Sequence, residues 1–361
     1  MKETRALMKK KVMLVGPNRN IVGGVATHIN ILTEALEKVG INTDIYELKD
    51  YSNKNKLVKK LSDIMKILKI RKSSSNGYLA VHLNPSIYYG SFLKLILTLF
   101  FLKHNNIVVQ FHGGSFDNLS KLNNSLLKTG VVRILKKAKC FLFLSTDQKE
   151  AFLSKFPDLE DFSFIVPNFI NTETNFIQKD NKKLSILFLA RLVEEKGVLD
   201  LINATTKIDE ADIEVKIIGE GECKEKILCL IKENQLESKI KFLGAKFGKE
   251  KEKHLQEADI YILPSNWKEG IPYTVLEAMK YRAMVLCTPQ GGLKDIIIDG
   301  YNGIFIEKDA ESIARTVKKL ISNKPLINTI NENAYQYLEK NLSINKAGIT
   351  FKNIYLRETQ Y

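Results

Sequence analysis

Two glutamates with seven residues between them, Glu269 and Glu277, are the acidic pair best placed to do chemistry in this chain. The apolar run Ile260-Tyr-Ile-Leu263 ahead of them reads as a buried parallel strand, Pro264 to Gly270 as a turn, and about Thr274 to Tyr281 as an amphipathic helix. Glu269 then lies on the loop at a strand's carboxyl end, where open α/β sheets bind ligands. Glu277 lies on the following helix among Val275, Leu276, Ala278 and Met279. A carboxylate there is costly unless something pairs with it, and the hydroxyl pair of a sugar is a suitable partner. A second candidate site follows the strand at Leu184. It delivers Arg191 and Lys196 to one loop, with Gly197 at the start of the next helix. Two fixed cations beside a helix N-terminus suit a diphosphate, although two surface cations would read the same way locally. His112 heads His112-Gly113-Gly114 at the end of the strand Ile107 to Phe111. On an exposed turn at a strand end it is well placed to face a ligand. Gly23 and Gly24 stand between the first strand and a helix opening at about Val25. There they either admit a phosphate or an acceptor close to the backbone or form a plain tight turn.

The frame around the acidic pair, Glu269-Gly-Ile-Pro-Tyr-Thr-Val-Leu-Glu277-Ala-Met279, resembles E-G-x-P-x-x-x-L-E-A-M of the retaining GT-B glycosyltransferases, family 4. The resemblance implies that Glu269, with Gly270, Ile271 and Pro272, meets the donor sugar and that Glu277 binds the ribose hydroxyls. Ala190-Arg-Leu-Val-Glu-Glu-Lys196-Gly197 is similar to the family's G-R-L-x-x-x-K-G, whose Arg and Lys hold the leaving nucleoside diphosphate; Ala190 replaces the usual Gly. Gly219 and Gly221 stand at family positions near the nucleotide, and the loop after Gly244 at the one that meets the base. His112-Gly-Gly-Ser-Phe-Asp117 is similar to members that build bacterial surface polysaccharides, in which the His-Gly contacts the donor sugar. Gly23-Gly24 matches a loop facing the donor diphosphate and the acceptor. Pro167-Asn-Phe-Ile-Asn171 is a partial match to the hinge P-N-G-x-D, and Ala283 and Met284 replace the Gly and Pro usual after the Glu277 helix.

The elements that must hold these residues alternate strand and helix twice over. The implied fold is α/β, GT-B, two Rossmann-like doubly wound domains facing a cleft. The expected domains are 1–170, on the acceptor side, and 171–341, on the nucleotide side; a helix over 342–361 is expected to cross back to the first. A length of 361 residues suits two domains. Four cysteines without metal-ligand spacing suit a reducing cytosol. The apolar run Ile87 to Leu102 is shorter than a membrane span and reads as a buried or interfacial helix.

The net charge of +14 is unevenly spread: residues 1–170 hold 26 Lys and Arg against 13 Asp and Glu, and the remainder 29 against 28. A basic half invites anionic membrane, nucleic acid or phosphorylated substrates. Within it, Leu57, Leu61, Ile64, Met65 and Leu68 recur at helical spacing among lysines. The expectation is that this stripe packs into the core while Lys59, Lys60, Lys66 and Lys69 face anionic lipid.

The reading is retaining transfer of a sugar from a nucleotide sugar, by family habit a UDP-sugar, to a lipid-linked or other saccharide acceptor in surface-polysaccharide biosynthesis. The place is the cytoplasm, on the inner face of the cytoplasmic membrane. Arg191 and Lys196 neutralise the leaving diphosphate, so the sequence implies no metal and no cofactor. A soluble acceptor, or a sugar-nucleotide epimerase, is the enzymatic alternative. A basic nucleic-acid-binding protein is the alternative of another class, but without an aromatic-interleaved motif no nucleic-acid partner is expected.

Overall fold

The computed structural model describes residues 11–19, 21, 23–48, 56–74, 77–116, 125–174, 179, 183–208, 213–267 and 270–356; side chains are described for all of these except 56–60 and 125–127. The chain divides into two compact units, residues 1–171 with 344–361, and residues 172–343.

In the first unit, β1 (Lys11–Gly16) leads to α1 (Gly24–Lys38), β2 (Asn42–Glu47) and α2 (Lys56–Ser74). Then come β3 (Ala80–Leu83), a short β4 (Ser86–Ile87), α3 (Tyr89–Phe101), β5 (Ile107–Gln110) and a short β6 (His112–Gly114). α4 (Ser125–Leu135), β7 (Cys140–Phe143), α5 (Thr146–Leu153) and β8 (Ser163–Ile165) follow. Six of the strands form one parallel sheet in the order β2-β1-β3-β5-β7-β8, while β4 pairs with β6. β3, β5 and β7 are buried along their whole length, because helices cover both faces of a parallel sheet. The chain moves outward from β1 to β2 and then returns to the other side of β1 as β3. That reversal opens a crevice at the carboxyl ends of β1 and β3.

The second unit repeats the plan with β9 (Leu184–Leu189), α6 (Val198–Thr206), β10 (Ile213–Ile218), α7 (Lys224–Glu233), β11 (Ile240–Gly244) and α8 (Gly248–Glu257). It continues through β12 (Ile260–Leu263), α9 (Tyr273–Lys280), β13 (Met284–Cys287), α10 (Leu293–Ile296), β14 (Ile304–Phe305), α11 (Ala310–Ile321) and α12 (Lys324–Asn341). The parallel order is β11-β10-β9-β12-β13-β14, so the reversal falls between β9 and β12. Just before Ala283 and Met284, which replace the usual Gly and Pro, Arg282 carries the turn at φ 52. Its guanidinium pays for that left-handed backbone by reaching Glu332 at 3.0 Å and lying 3.9 Å from the Tyr335 ring centre.

The last helix, α13 (Ile344–Leu356), belongs to the first unit. Its Ile344, Ala347, Phe351, Ile354 and Tyr355 join the core formed by α1 and the sheet. Gly348 makes the packing possible: a Cβ there would stand 2.4 Å from the Ala35 carbonyl oxygen.

One expectation is reversed. Leu61, Ile64, Met65 and Leu68 of α2 do not enter the core; they are exposed, Leu61 at 57% and Met65 at 71%. The buried face is Asp63, Ile67, Ile70 and Ser74, two residues round the helix. Asp63 selects that face by pairing with Lys94 of α3 at 2.5 Å, and Ile70 enters the core beneath α3. The side chains of Leu57, Lys59 and Lys60 are not among those described.

Candidate active site

In the second unit the strand-end loops are locked together at the β9/β12 reversal. Gly197, at φ 75, begins α6 so close to the loop after β12 that a Cβ would stand 2.1 Å from the Pro264 carbonyl oxygen. Gly219 and Gly221, after β10, would bring a Cβ to 2.0 Å from the Ala190 oxygen and 2.3 Å from the Leu192 oxygen. Gly292, after β13, approaches Gly270 in the same way, at 2.6 Å. The Asn266 amide donates to the Glu195 carbonyl at 2.9 Å, and the Thr288 hydroxyl donates to the Ser265 carbonyl. The loops carrying Arg191 and Lys196, Gly219 to Gly221, Gly270 to Pro272 and Gly291-Gly292 therefore form one rigid rim. Only glycine permits this stacking of backbone on backbone.

On that rim Arg191 is exposed and, among the described residues, has no ion-pair partner, while Lys196 is half-buried. Gly244 takes φ 67, and a Cβ there would only touch Glu220 Oε1, at 3.6 Å. Ile271 is buried, and Gly270 and Pro272 are half-buried at the entry to α9. The Tyr261 hydroxyl bonds Thr274 Oγ1 at 2.8 Å, which pins the first turn of α9 to β12. Glu269 lies outside the described residues, and so does Asp117 of the first unit.

Glu277 is 16% exposed on α9, and Lys251 of α8 donates to its Oε1 at 2.6 Å. Its Oε2 is buried and has no hydrogen-bond partner among the described residues. A buried carboxylate oxygen ordinarily finds a donor, so this one is able to accept a hydrogen bond from a hydroxyl. Burial and then the Glu277 charge raise the neighbouring Tyr273 phenol well above its usual range, so that ring stays neutral. Lys251 has no signal in the sequence, since it lies on another helix in a lysine-rich stretch.

In the first unit a cavity of about 570 Å³ occupies the β1/β3 crevice. Its floor is Gly16 and Asn84, one wall is Gly23-Gly24, and the other is Ser91, Lys94, Leu95 and Thr98 of α3. A Cβ on Gly23 or Gly24 would meet nothing within 4 Å, so the fold itself does not demand glycine there.

His112 is not on an exposed turn. It is 3% exposed, because the β4–β6 pairing folds its segment back over the sheet. The Asn84 amide donates at 3.4 Å to the carbonyls of Val15 and His82, which turns its Oδ1 to accept from His112 Nε2 at 3.0 Å. His112 reaches the cavity through Asn84, a residue with no signal in the sequence. Beneath it His28 lies with ring centres 4.5 Å away, faced by Gln110 and Asn168. Burial pulls the His28 pKa down to about 4 and holds His82 and His112 well below 6.5, with mutual repulsion adding to it for the latter two. All three are neutral at pH 7. Phe169, which stands where the hinge motif has Gly, fills the space beside His28 and Phe351.

Among the described residues no group of three His, Cys, Asp or Glu side chains could hold a metal ion.

Two parallel-sheet units with glycine-locked strand-end loops are the architecture of the GT-B fold. Residues 170–337 match the family Glycosyl transferases group 1. An uncharacterized glycosyltransferase of Methanocaldococcus jannaschii is 26% identical over 351 residues, covering 91% of this chain and 93% of its own. A Campylobacter jejuni enzyme named as an N-acetylgalactosamine-N,N'-diacetylbacillosaminyl-diphospho-undecaprenol 4-alpha-N-acetylgalactosaminyltransferase is 29% identical over 143 residues, 39% of this chain and 38% of its own. The structure of Anabaena HepE in complex with UDP and glucose superposes with a TM-score of 0.72 over 95% of this chain and 98% of its own, at 14% identity. Residues 170–337 are thus similar to the group 1 glycosyltransferases, and the two-unit α/β architecture is that of GT-B proteins.

Proposed function

We propose that this protein transfers a sugar from a nucleotide sugar, with UDP as the nucleotide, to a lipid-linked saccharide acceptor with retention at the anomeric carbon. It does so in surface-polysaccharide assembly on the inner face of the cytoplasmic membrane. The observation that carries the reading is the buried Oε2 of Glu277, without a partner among the described residues, on the helix entered from the loop Gly270 to Pro272. That carboxylate accepts a hydrogen bond from a ribose hydroxyl, and Lys251 holds it correctly turned. Arg191 and Lys196 neutralise the charge that grows on the diphosphate as the glycosidic bond breaks. Glu269 orients the donor sugar, as the family resemblance implies. The leaving phosphate takes the acceptor's proton on the same face, so no protein nucleophile is required, and the two cations supply the charge compensation a metal would otherwise give. In the first unit the 570 Å³ cavity receives the acceptor. Its glycine wall allows close approach, and Asn84, held by His112, offers a fixed amide. The C. jejuni relative, named for a diphospho-undecaprenol substrate, supports the acceptor class.

The test is thermal unfolding with UDP, GDP and ADP for the wild type and Glu277→Ala. A nucleotide at about a hundred times its Kd adds about 2.7 kcal/mol, which raises Tm by a few degrees. UDP is expected to stabilise the wild type and not the variant. Equal stabilisation of both would remove Glu277 from the site.

A further inference from the structure

The exposed stripe on α2 has a counterpart. On α3, Tyr89, Leu93, Leu97 and Phe100 are exposed, Phe100 at 57%, while Phe92, Leu95 and Leu99 pack inward. The two helices are joined by the Asp63–Lys94 pair, so each turns an apolar face outward while its opposite face is fixed in the core. Large side chains at Leu61, Ile64, Met65 and Leu68 repeat every three or four residues along α2, and those on α3 do the same. Scattered single hydrophobics on a surface need no explanation, but two ordered rows on adjoining helices do.

The charge around these rows is of one sign. Between Asp63 and Asp147 the chain contains twelve Lys and Arg and a single acid, Asp117. Lys69, Lys72 and Lys103 are exposed and Lys66 is half-buried. Lys137 reaches the end of α3, donating to the Phe100 carbonyl at 2.8 Å with its ammonium 5.6 Å from the Phe100 ring centre. A second protein with apolar contact rows would not require this excess of cations. An anionic bilayer does, since its headgroups attract lysines while its acyl boundary accepts the apolar rows. Among the described residues no helix is long and apolar enough to cross a membrane, so the mode is insertion into one leaflet, not a span.

We infer that α2 and α3 form an amphipathic insertion face that docks the first unit on an anionic lipid surface. The inserting groups are Leu61, Ile64, Met65, Leu68, Leu93, Leu97 and Phe100, and the lysines serve as the fringe. This deepens the lipid-linked acceptor reading and rests on it for its purpose. α3 presents Ser91, Lys94 and Thr98 to the cavity and Leu93, Leu97 and Phe100 outward, so one helix carries both the acceptor wall and the docking face.

The experiment is sedimentation of the full chain with vesicles of phosphatidylcholine containing phosphatidylglycerol, and with vesicles of phosphatidylcholine alone. The wild type is expected to pellet with the anionic vesicles and much less with the neutral ones. Met65→Glu/Phe100→Glu is expected to lower partitioning by at least about tenfold while keeping the wild-type Tm and its rise with UDP. Lys66→Glu/Lys69→Glu, on the fringe, should weaken binding in low salt and matter less as salt is raised, because exposed charges are screened and apolar insertion is not. It is the second variant if the first loses Tm. A wild type that stays in the supernatant, or apolar-to-Glu variants that pellet like the wild type, overturns the inference. So does a concentration-dependent dimer, dissolved by Met65→Glu, with no vesicle binding. Because UDP stabilisation is read separately, failure of docking is distinguishable from failure of the transferase reading.

Discussion

Glu277 and Lys251 show how a buried carboxylate can be fixed through one oxygen alone. The lysine fixes one oxygen and leaves the other buried and open. Removing the lysine should therefore cost more than an exposed pair would. Lys251→Met is expected to lower unfolding stability by about 1–3 kcal/mol in urea titration, because a mostly buried carboxylate then has no donor. Lys251→Met/Glu277→Gln should recover most of that loss without restoring UDP binding. A single variant as stable as the wild type would show the pair to be incidental. Both glutamates could be singled out in the sequence by their frame, but Lys251 could not, since it approaches from a different helix. His112 is singled out in the sequence by type and place, yet its burial is not legible there. The β4–β6 pairing that covers it involves only two or three residues a side, too few to leave a pattern.

Among the elements, the glycines of the two units divide by what surrounds them. Gly197 is pressed against Pro264 in a left-handed backbone, whereas Gly23 and Gly24 face open space. Gly197→Ala is expected to destabilise by about 2 kcal/mol or more through backbone strain and the displaced loop. Gly24→Ala, at the start of α1, should leave Tm unchanged or slightly raised, since alanine favours helix. Its effect should appear instead as a higher KM for the acceptor. Equal Tm losses in both variants would contradict the division. The strands were readable because buried parallel strands are short apolar runs, and twelve of the fourteen join the two main sheets. The face of α2 was not readable. Its more apolar stripe competed with one built around Asp63, and only the position of Lys94 on α3 decides between them.

At the scale of the molecule, three buried neutral histidines make the first unit sensitive to acid. Their pKa values are lowered in the folded state, so the unfolded chain binds protons first as pH falls below 6.5. Stability is then full above 6.5 and is lost on the way down towards 4, by about 1.4 kcal/mol per pH unit for each histidine. Tm is expected to fall steeply between pH 6.5 and 5, and less steeply in His28→Gln. A flat profile there would mean that the imidazoles are solvated. The helix α13 adds a constraint of a different kind. Tyr355 bonds His82 Nδ1 at 2.7 Å, its carbonyl accepts from Asn106 Nδ2 at 2.6 Å, and Phe351 packs in the α1 core. The second unit, by contrast, is one unbroken stretch of chain. During synthesis the half that is begun first is thus finished last. Its α1 core can close only once residues 344–356 are present, whereas the second unit needs nothing beyond residue 343.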